Sequence, residues 1–141
     1  METAEKTQIT VETKIKAGVD KVWKHFNEPA HINQWAFASD EWEAKNAEND
    51  LRVGGAFKTT MAAKDGSFSF DFGGVYDIVK TNELIEYTIG DGRSVKVIFE
   101  TIGNETIVTE TFDAEGTNPV EMQRSGWQAI LENFRKHVES N

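Results

Sequence analysis

The stretch NPVEMQRSGWQAILENFRKHV, residues 118–138, decides how the rest of the chain must be arranged. Val120, Trp127, Ile130, Leu131, Phe134 and Val138 recur at helical spacing, so one long helix with one apolar stripe closes the sequence. Asn118 can cap it, Pro119 suits the first helical position, and Glu121 lies where a capping box needs it. The stripe must be buried, and the residues before it are rich in strand signals. The helix is therefore expected to lie on a sheet. If that sheet is curved, the space between them is either packed core or a ligand cavity.

Working back from the helix, residues 41–114 read as β throughout. Turn signals at Asn49-Asp50, Lys64-Asp65-Gly66, Thr81-Asn82-Glu83, Gly90-Asp91-Gly92 and Gly103-Asn104 cut strands near 41–48, 53–62, 67–79, 84–89, 93–102 and 106–113. Short turns between neighbours imply an antiparallel meander. Gly54-Gly55 and Gly73-Gly74 lie within or beside strands, where glycine permits the bulge or bend that curls a sheet. A bulge at Gly73-Gly74 would shift the alternation by one, leaving open whether Phe68, Phe70 and Phe72 or Val75 and Tyr76 face inward.

Upstream, Ile9, Val11, Thr13 and Ile15 alternate with polar residues, the period of a strand with one wet face. Val19, Val22, Trp23 and Phe26 then fall on one stripe of a short helix. Pro29 opens a second short helix over 29–34, which presents Ile32 and ends near Trp35. The first strand is expected to pair with the last ones. The expected architecture is α+β: a curved antiparallel sheet of six to seven strands around a long C-terminal helix, with two short helices after strand one. Residues 7–141 form one domain and residues 1–6 a disordered tail.

Composition narrows the partners. Fifteen Lys and Arg against twenty-four Asp and Glu give a formal charge of −9, with no basic run. Such a surface repels phosphate backbones and anionic lipid, which argues against nucleic-acid and membrane partners. There is no cysteine, so disulfides, thiolate metal sites and cysteine nucleophiles are excluded. Met1–Lys6 is polar and not a signal peptide, and no apolar run approaches the roughly 18 residues of a membrane span. A cytoplasmic protein, monomer or weak dimer, is expected.

Several residues carry a resemblance beyond these patterns. They are Val22-Trp23, Pro29, Trp35, Gly54-Gly55, Gly73-Gly74-Val75-Tyr76-Asp77-Ile78 and Gly126-Trp127. In order and spacing, over residues 7–138, the chain resembles the helix-grip superfamily of steroidogenic-acute-regulatory-related lipid-transfer domains and birch-pollen-allergen-like proteins. More closely it is similar to bacterial proteins like the C-terminal domain of the activator of heat-shock-protein-90 ATPase. No counterpart of the namesake's N-terminal chaperone-binding domain is expected in these residues. The resemblance implies a pocket between sheet and long helix that takes hydrophobic or amphipathic small molecules. Some members of the wider superfamily are cyclases or dehydratases, some carry lipids, and the namesake docks on a chaperone.

The expected ligand lining is Trp35, Phe57, Phe70, Tyr76, Phe99, Trp127, Ile130 and Phe134, with Trp35, Phe37 and Trp42 grouped at a rim. The same side chains could equally fill a core. A dry void of about 300 Å³ would cost on the order of 7 kcal/mol, comparable to the stability of a whole domain, so a large pocket must be wet, occupied or collapsible. Gly126, inside a helix, is expected to mark close approach to the sheet or room for a ligand.

Catalytic signals are weaker. His25, His31 and His137 lie in three different helices without the spacing of a metal site, so they read as solvated surface and no metal is assigned. Glu100 and Glu110 read as partners of Arg93 and Lys96 in cross-strand ion pairs. A carboxylate facing inward would instead be a candidate acid or base. No serine has nucleophile-elbow context, and the glycine pairs do not form a phosphate loop. The reading is a non-catalytic binding module for a hydrophobic or amphipathic small molecule, without cofactor. A chaperone-associated partner-binding protein and a cyclase- or dehydratase-type enzyme are the alternatives.

Overall fold

Alternation dictates β1 (Gln8–Ile15): its odd-numbered residues are buried and its even-numbered ones exposed. The chain then forms α1 (Val19–Asn27) and α2 (Pro29–Trp35), with Pro29 in the first helical turn as its fixed φ favours. Six strands follow: β2 (Trp42–Asn49), β3 (Ala56–Ala63), β4 (Ser69–Lys80), β5 (Leu84–Ile89), β6 (Ser94–Ile102) and β7 (Glu105–Asp113). The last element is α3 (Val120–Ser140). The computed structural model describes residues 7–141; the tail expected over 1–6 lies outside them.

The seven strands form one antiparallel sheet in the order β1-β7-β6-β5-β4-β3-β2. The first strand thus joins the far side of the meander through β7, with Ile9 opposite Phe112 and Thr13 opposite Val108. The α+β helix-grip architecture expected from the sequence is present. At the other edge, the short helices blunt β2, whose unpaired backbone would otherwise invite another strand. The Ala47 backbone N–H donates to Asn33 Oδ1 at 3.1 Å, and the Asn49 side chain donates to the Asn27 carbonyl at 2.7 Å.

The double glycines curl the sheet by allowing close backbone approach. A Cβ on Gly73 would collide with the Phe57 carbonyl oxygen, and one on Gly74 with the Thr88 carbonyl oxygen. β4 is pinched there between both neighbours. Its register with β3 nevertheless runs unbroken from Ala56↔Val75 to Ala62↔Ser69. The slip lies instead at Asp77, between the pairs Tyr76↔Tyr87 and Ile78↔Glu86. Phe70, Phe72 and Tyr76 therefore share one face, and after the slip the inward role passes to Val79.

Two helix details differ from expectation. Asn118 does not cap α3: its side-chain amide donates to Glu115 at 2.7 Å, while Pro119 occupies the cap position and its carbonyl receives the Met122 and Gln123 N–H groups. Glu121 pairs with Arg124 rather than closing a capping box. Gly126 is not a point of close approach, since a Cβ there would meet no heavy atom within 4 Å.

Two substitutions test this. Gly74→Ala is expected to lower unfolding stability by about 1–3 kcal/mol, the usual cost of overpacking. Gly126→Ala is expected to raise it by up to about 1 kcal/mol, the helix-propensity difference. Equilibrium urea unfolding reads both; a neutral Gly74→Ala would show that the pinch is relieved by a small strand shift.

Candidate functional site

α3 is anchored through one half of its length. Leu131, Phe134 and Val138 are fully buried. Phe134 meets Trp35 and Phe26 at ring-centroid distances of 4.8 and 5.2 Å, and Phe26 meets Phe99 edge-on at 5.4 Å. Trp35 also donates its indole N–H to the His25 carbonyl at 3.0 Å, satisfying its polar handle. Nearer the start of α3, Trp127 stacks on Phe112 of β7 at 3.9 Å and meets Phe72 edge-on at 6.1 Å.

Between the other half of α3, around Trp127 and Ile130, and the sheet lies a cavity of about 340 Å³, partly open to solvent. Trp35, Phe57, Phe70, Tyr76, Trp127 and Ile130 stand on its wall, together with Met61 and Phe72. Phe99 and Phe134, expected beside them, do not. They are consumed by the aromatic packing that seats α3, and Phe134 has 0% exposure. Phe70 is 42% exposed while lining the cavity, which places it at the mouth. Trp42 lies against Phe70 and Phe68 at 6.1 and 6.2 Å, extending an aromatic rim outward from there.

The sequence reading missed Glu110. It is not an outward ion-pair partner: it lies opposite Val11 and Val97, both buried, and is itself only 7% exposed on the cavity wall. The signal was its parity with Thr106, Val108 and Phe112, which all face inward. Arg93, also on the cavity wall, donates to Asp91 at 2.8 Å rather than to Glu110. No ion pair or side-chain hydrogen bond reaches Glu110 among the described residues, and burial alone pushes its carboxyl up to about 8. At neutral pH it is mainly the uncharged acid, able to donate one hydrogen bond and accept others.

Two phenols accompany it. Burial, reinforced by the nearby Glu110, holds the Tyr87 hydroxyl well above its ordinary value. Tyr76 is also raised by burial, and its hydroxyl donates to Asn49 Oδ1 at 2.5 Å. The cavity is thus an apolar chamber with a neutral carboxyl and phenols on its β-sheet wall.

The histidines are not scattered surface residues. The ends of α1, α2 and α3 converge, bringing His25, His31 and His137 into one cluster. Sequence spacing could not reveal this, because three separate helices contribute one residue each.

Residues 16–139 match the family described as Activator of Hsp90 ATPase homolog 1-like protein. Among solved structures, the AHSA1-like protein from Aeromonas hydrophila is similar at 40% identity and TM-score 0.89, covering 95% of this chain and 93% of that one. A solution structure from Cytophaga hutchinsonii is similar at 61% identity and TM-score 0.82, with the same coverage of 95% and 93%. An X-ray structure from Chromobacterium violaceum shares the fold at 23% identity and TM-score 0.86, covering 96% and 99%. No curated protein matches significantly. Among the described residues no helix is long and apolar enough to cross a membrane.

Glu110 has a signature in stability. Its folded-state pKa lies above the ordinary 4.5, so the folded protein holds the proton more tightly than the unfolded chain. That contribution is full below about pH 4.5 and is lost as pH rises to about 8. Between about pH 6.5 and 8, above the range in which the depressed histidines act in the opposite sense, unfolding free energy should fall as pH rises, and Glu110→Gln should remove most of that fall. An identical slope in the variant would place the titration elsewhere.

Proposed function

This chain belongs to the Activator of Hsp90 ATPase homolog 1-like family, and we propose that it binds a hydrophobic or amphipathic small molecule in the cavity under α3 without chemically altering it. The observation that carries this reading is the open, largely apolar chamber under α3, with a buried carboxyl on its wall. The family's fold commonly takes small hydrophobic ligands, which agrees. Left dry, a void of 340 Å³ would cost on the order of 8 kcal/mol, so ligand or water must occupy it. An apolar ligand body gains about 25 cal/mol for each Å² removed from water, before the costs of binding.

Trp35, Phe57, Phe70, Tyr76, Trp127 and Ile130 supply the apolar contact; Glu110 and Tyr87 offer hydrogen bonds to a polar end. A neutral carboxyl next to a phenol suits a hydroxyl, carbonyl or amide. Phe99 and Phe134 act only indirectly, by holding α3 in place.

Glu110 also supports a second reading, in which the carboxyl is a general acid or base for a cyclase- or dehydratase-type reaction. Docking on a chaperone is less well supported, because that role needs a surface rather than an open interior. Its best surface is the exposed aromatic rim at Phe68 and Phe70.

Native mass spectrometry of protein purified gently from its own host, followed by solvent extraction, tests the first reading. The expected result is a stoichiometric small molecule of low polarity, recovered unchanged. Met61→Trp, which projects bulk into the cavity, should abolish its retention while the protein stays folded. Empty protein under conditions that preserve other lipid complexes would sink the binding reading. A bound molecule that is converted, with conversion lost in Glu110→Gln and binding kept, would move the assignment to the enzyme.

A further inference from the structure

Three imidazoles meet next to the Phe134 cluster, where α1, α2 and α3 come together. His25 stands in the last turn of α1, His31 within α2, and His137 in the last turn of α3. One ring nitrogen from each lies within 4.8 Å of the other two. His31 Nδ1 and His137 Nε2 are 2.8 Å apart and can share only one proton between them when both rings are neutral. His25 is 7% exposed, and its Nδ1 has no hydrogen-bond partner among the described residues. Buried polar atoms are nearly always paired, so this nitrogen calls for a function.

We propose that His25, His31 and His137 form a binding site for a divalent d-block cation of the zinc type, tying together the three helices.

The chemistry selects that class. Neutral imidazole nitrogens suit zinc, copper and nickel, whereas calcium and magnesium demand oxygen ligands. Zinc–nitrogen bonds of about 2.0–2.1 Å put tetrahedral ligand nitrogens roughly 3.3 Å apart. The 2.8 Å pair needs to open slightly and the 4.8 Å limit to close. The His25 and His31 rings stack at 3.9 Å and 16°, so His31 must turn about its Cβ–Cγ bond to aim its lone pair at the shared point. It is partly exposed and lies on a seven-residue helix, which leaves it that freedom.

Glu28 Oε1 lies 3.8 Å from His31 Nε2, leaving Nδ1 for the ion. At that distance it makes no hydrogen bond, but it puts a negative charge beside the site. The other charges near the cluster, Lys21 and Lys24 of α1, oppose a cation. They also oppose protons: burial first, then the neighbouring imidazoles and these lysines, hold His25 down to about 4, and His137 is lowered for similar reasons. Three ligands leave a fourth position for water. Because α2 also carries Ile32 and Trp35 of the cavity wall, an ion here would fix one side of the cavity.

The test is a titration of the untagged, chelator-treated full chain with zinc chloride at neutral pH, by calorimetry. One ion per chain is expected, with a rise in melting temperature. His31→Gln and His137→Gln lie at partly exposed positions and should stay folded, each weakening binding by about tenfold or more. Cobalt(II) should give the intense visible bands of a four-coordinate site, lost in the same variants. Zinc held equally well by a variant carrying both His31→Gln and His137→Gln, or no stoichiometric binding by the wild type, would overturn the proposal.

Discussion

The seating of Phe134 governs the rest of the molecule. This ring, wholly buried, is gripped by Phe26 and Trp35 from the short helices, with Phe99 of the sheet behind Phe26. It fixes where one half of α3 lies. The sheet is curled by the pinch at Gly73 and Gly74, and a straight helix cannot follow that curve along its whole length. Trp127, standing on Phe112, therefore faces open space where Phe134 faces packed rings. Core and cavity are two ends of the same misfit between a straight rod and a curved surface.

The polar groups of the interior follow from that division. A carboxyl placed at Phe134 would meet only packed hydrocarbon. At Glu110 it meets the cavity, where solvent or a ligand can reach it, and a neutral acid is tolerated. Tyr76 and Tyr87, paired across β4 and β5, bring their hydroxyls into the same region. The same helices that grip the ring also bring three imidazoles within reach of one another. Both polar sets depend on the helices meeting where they do.

Much of the fold was legible because periodicity survives in a single sequence. The alternation of β1, the stripe of α3 and the turns at Asp65-Gly66, Asn82 and Asp91-Gly92 each report a local backbone state, and Gly66, Asn82 and Gly92 do adopt positive φ. The inward face of β4 was legible only as a choice, since the slip at Asp77 carries no glycine to announce it. Parity could have placed Glu110 inside, but its charge suggested a salt bridge. The Asn118 capping box failed because Glu115, upstream of the helix, competes for the same side chain.

The sequence alone determined an antiparallel meander closed by an amphipathic helix, because strand and helix periods are local properties of neighbouring residues. It also determined the supply of aromatic side chains between them. Only the tertiary structure decided which aromatics pack and which line a void: Phe99 and Phe134 went to the core, while Trp127 and Phe70 went to the wall. The same holds for the burial of Glu110 and for the meeting of His25, His31 and His137. Those outcomes depend on the curvature of the sheet and on how helix ends converge, distances through space that no spacing along the chain encodes.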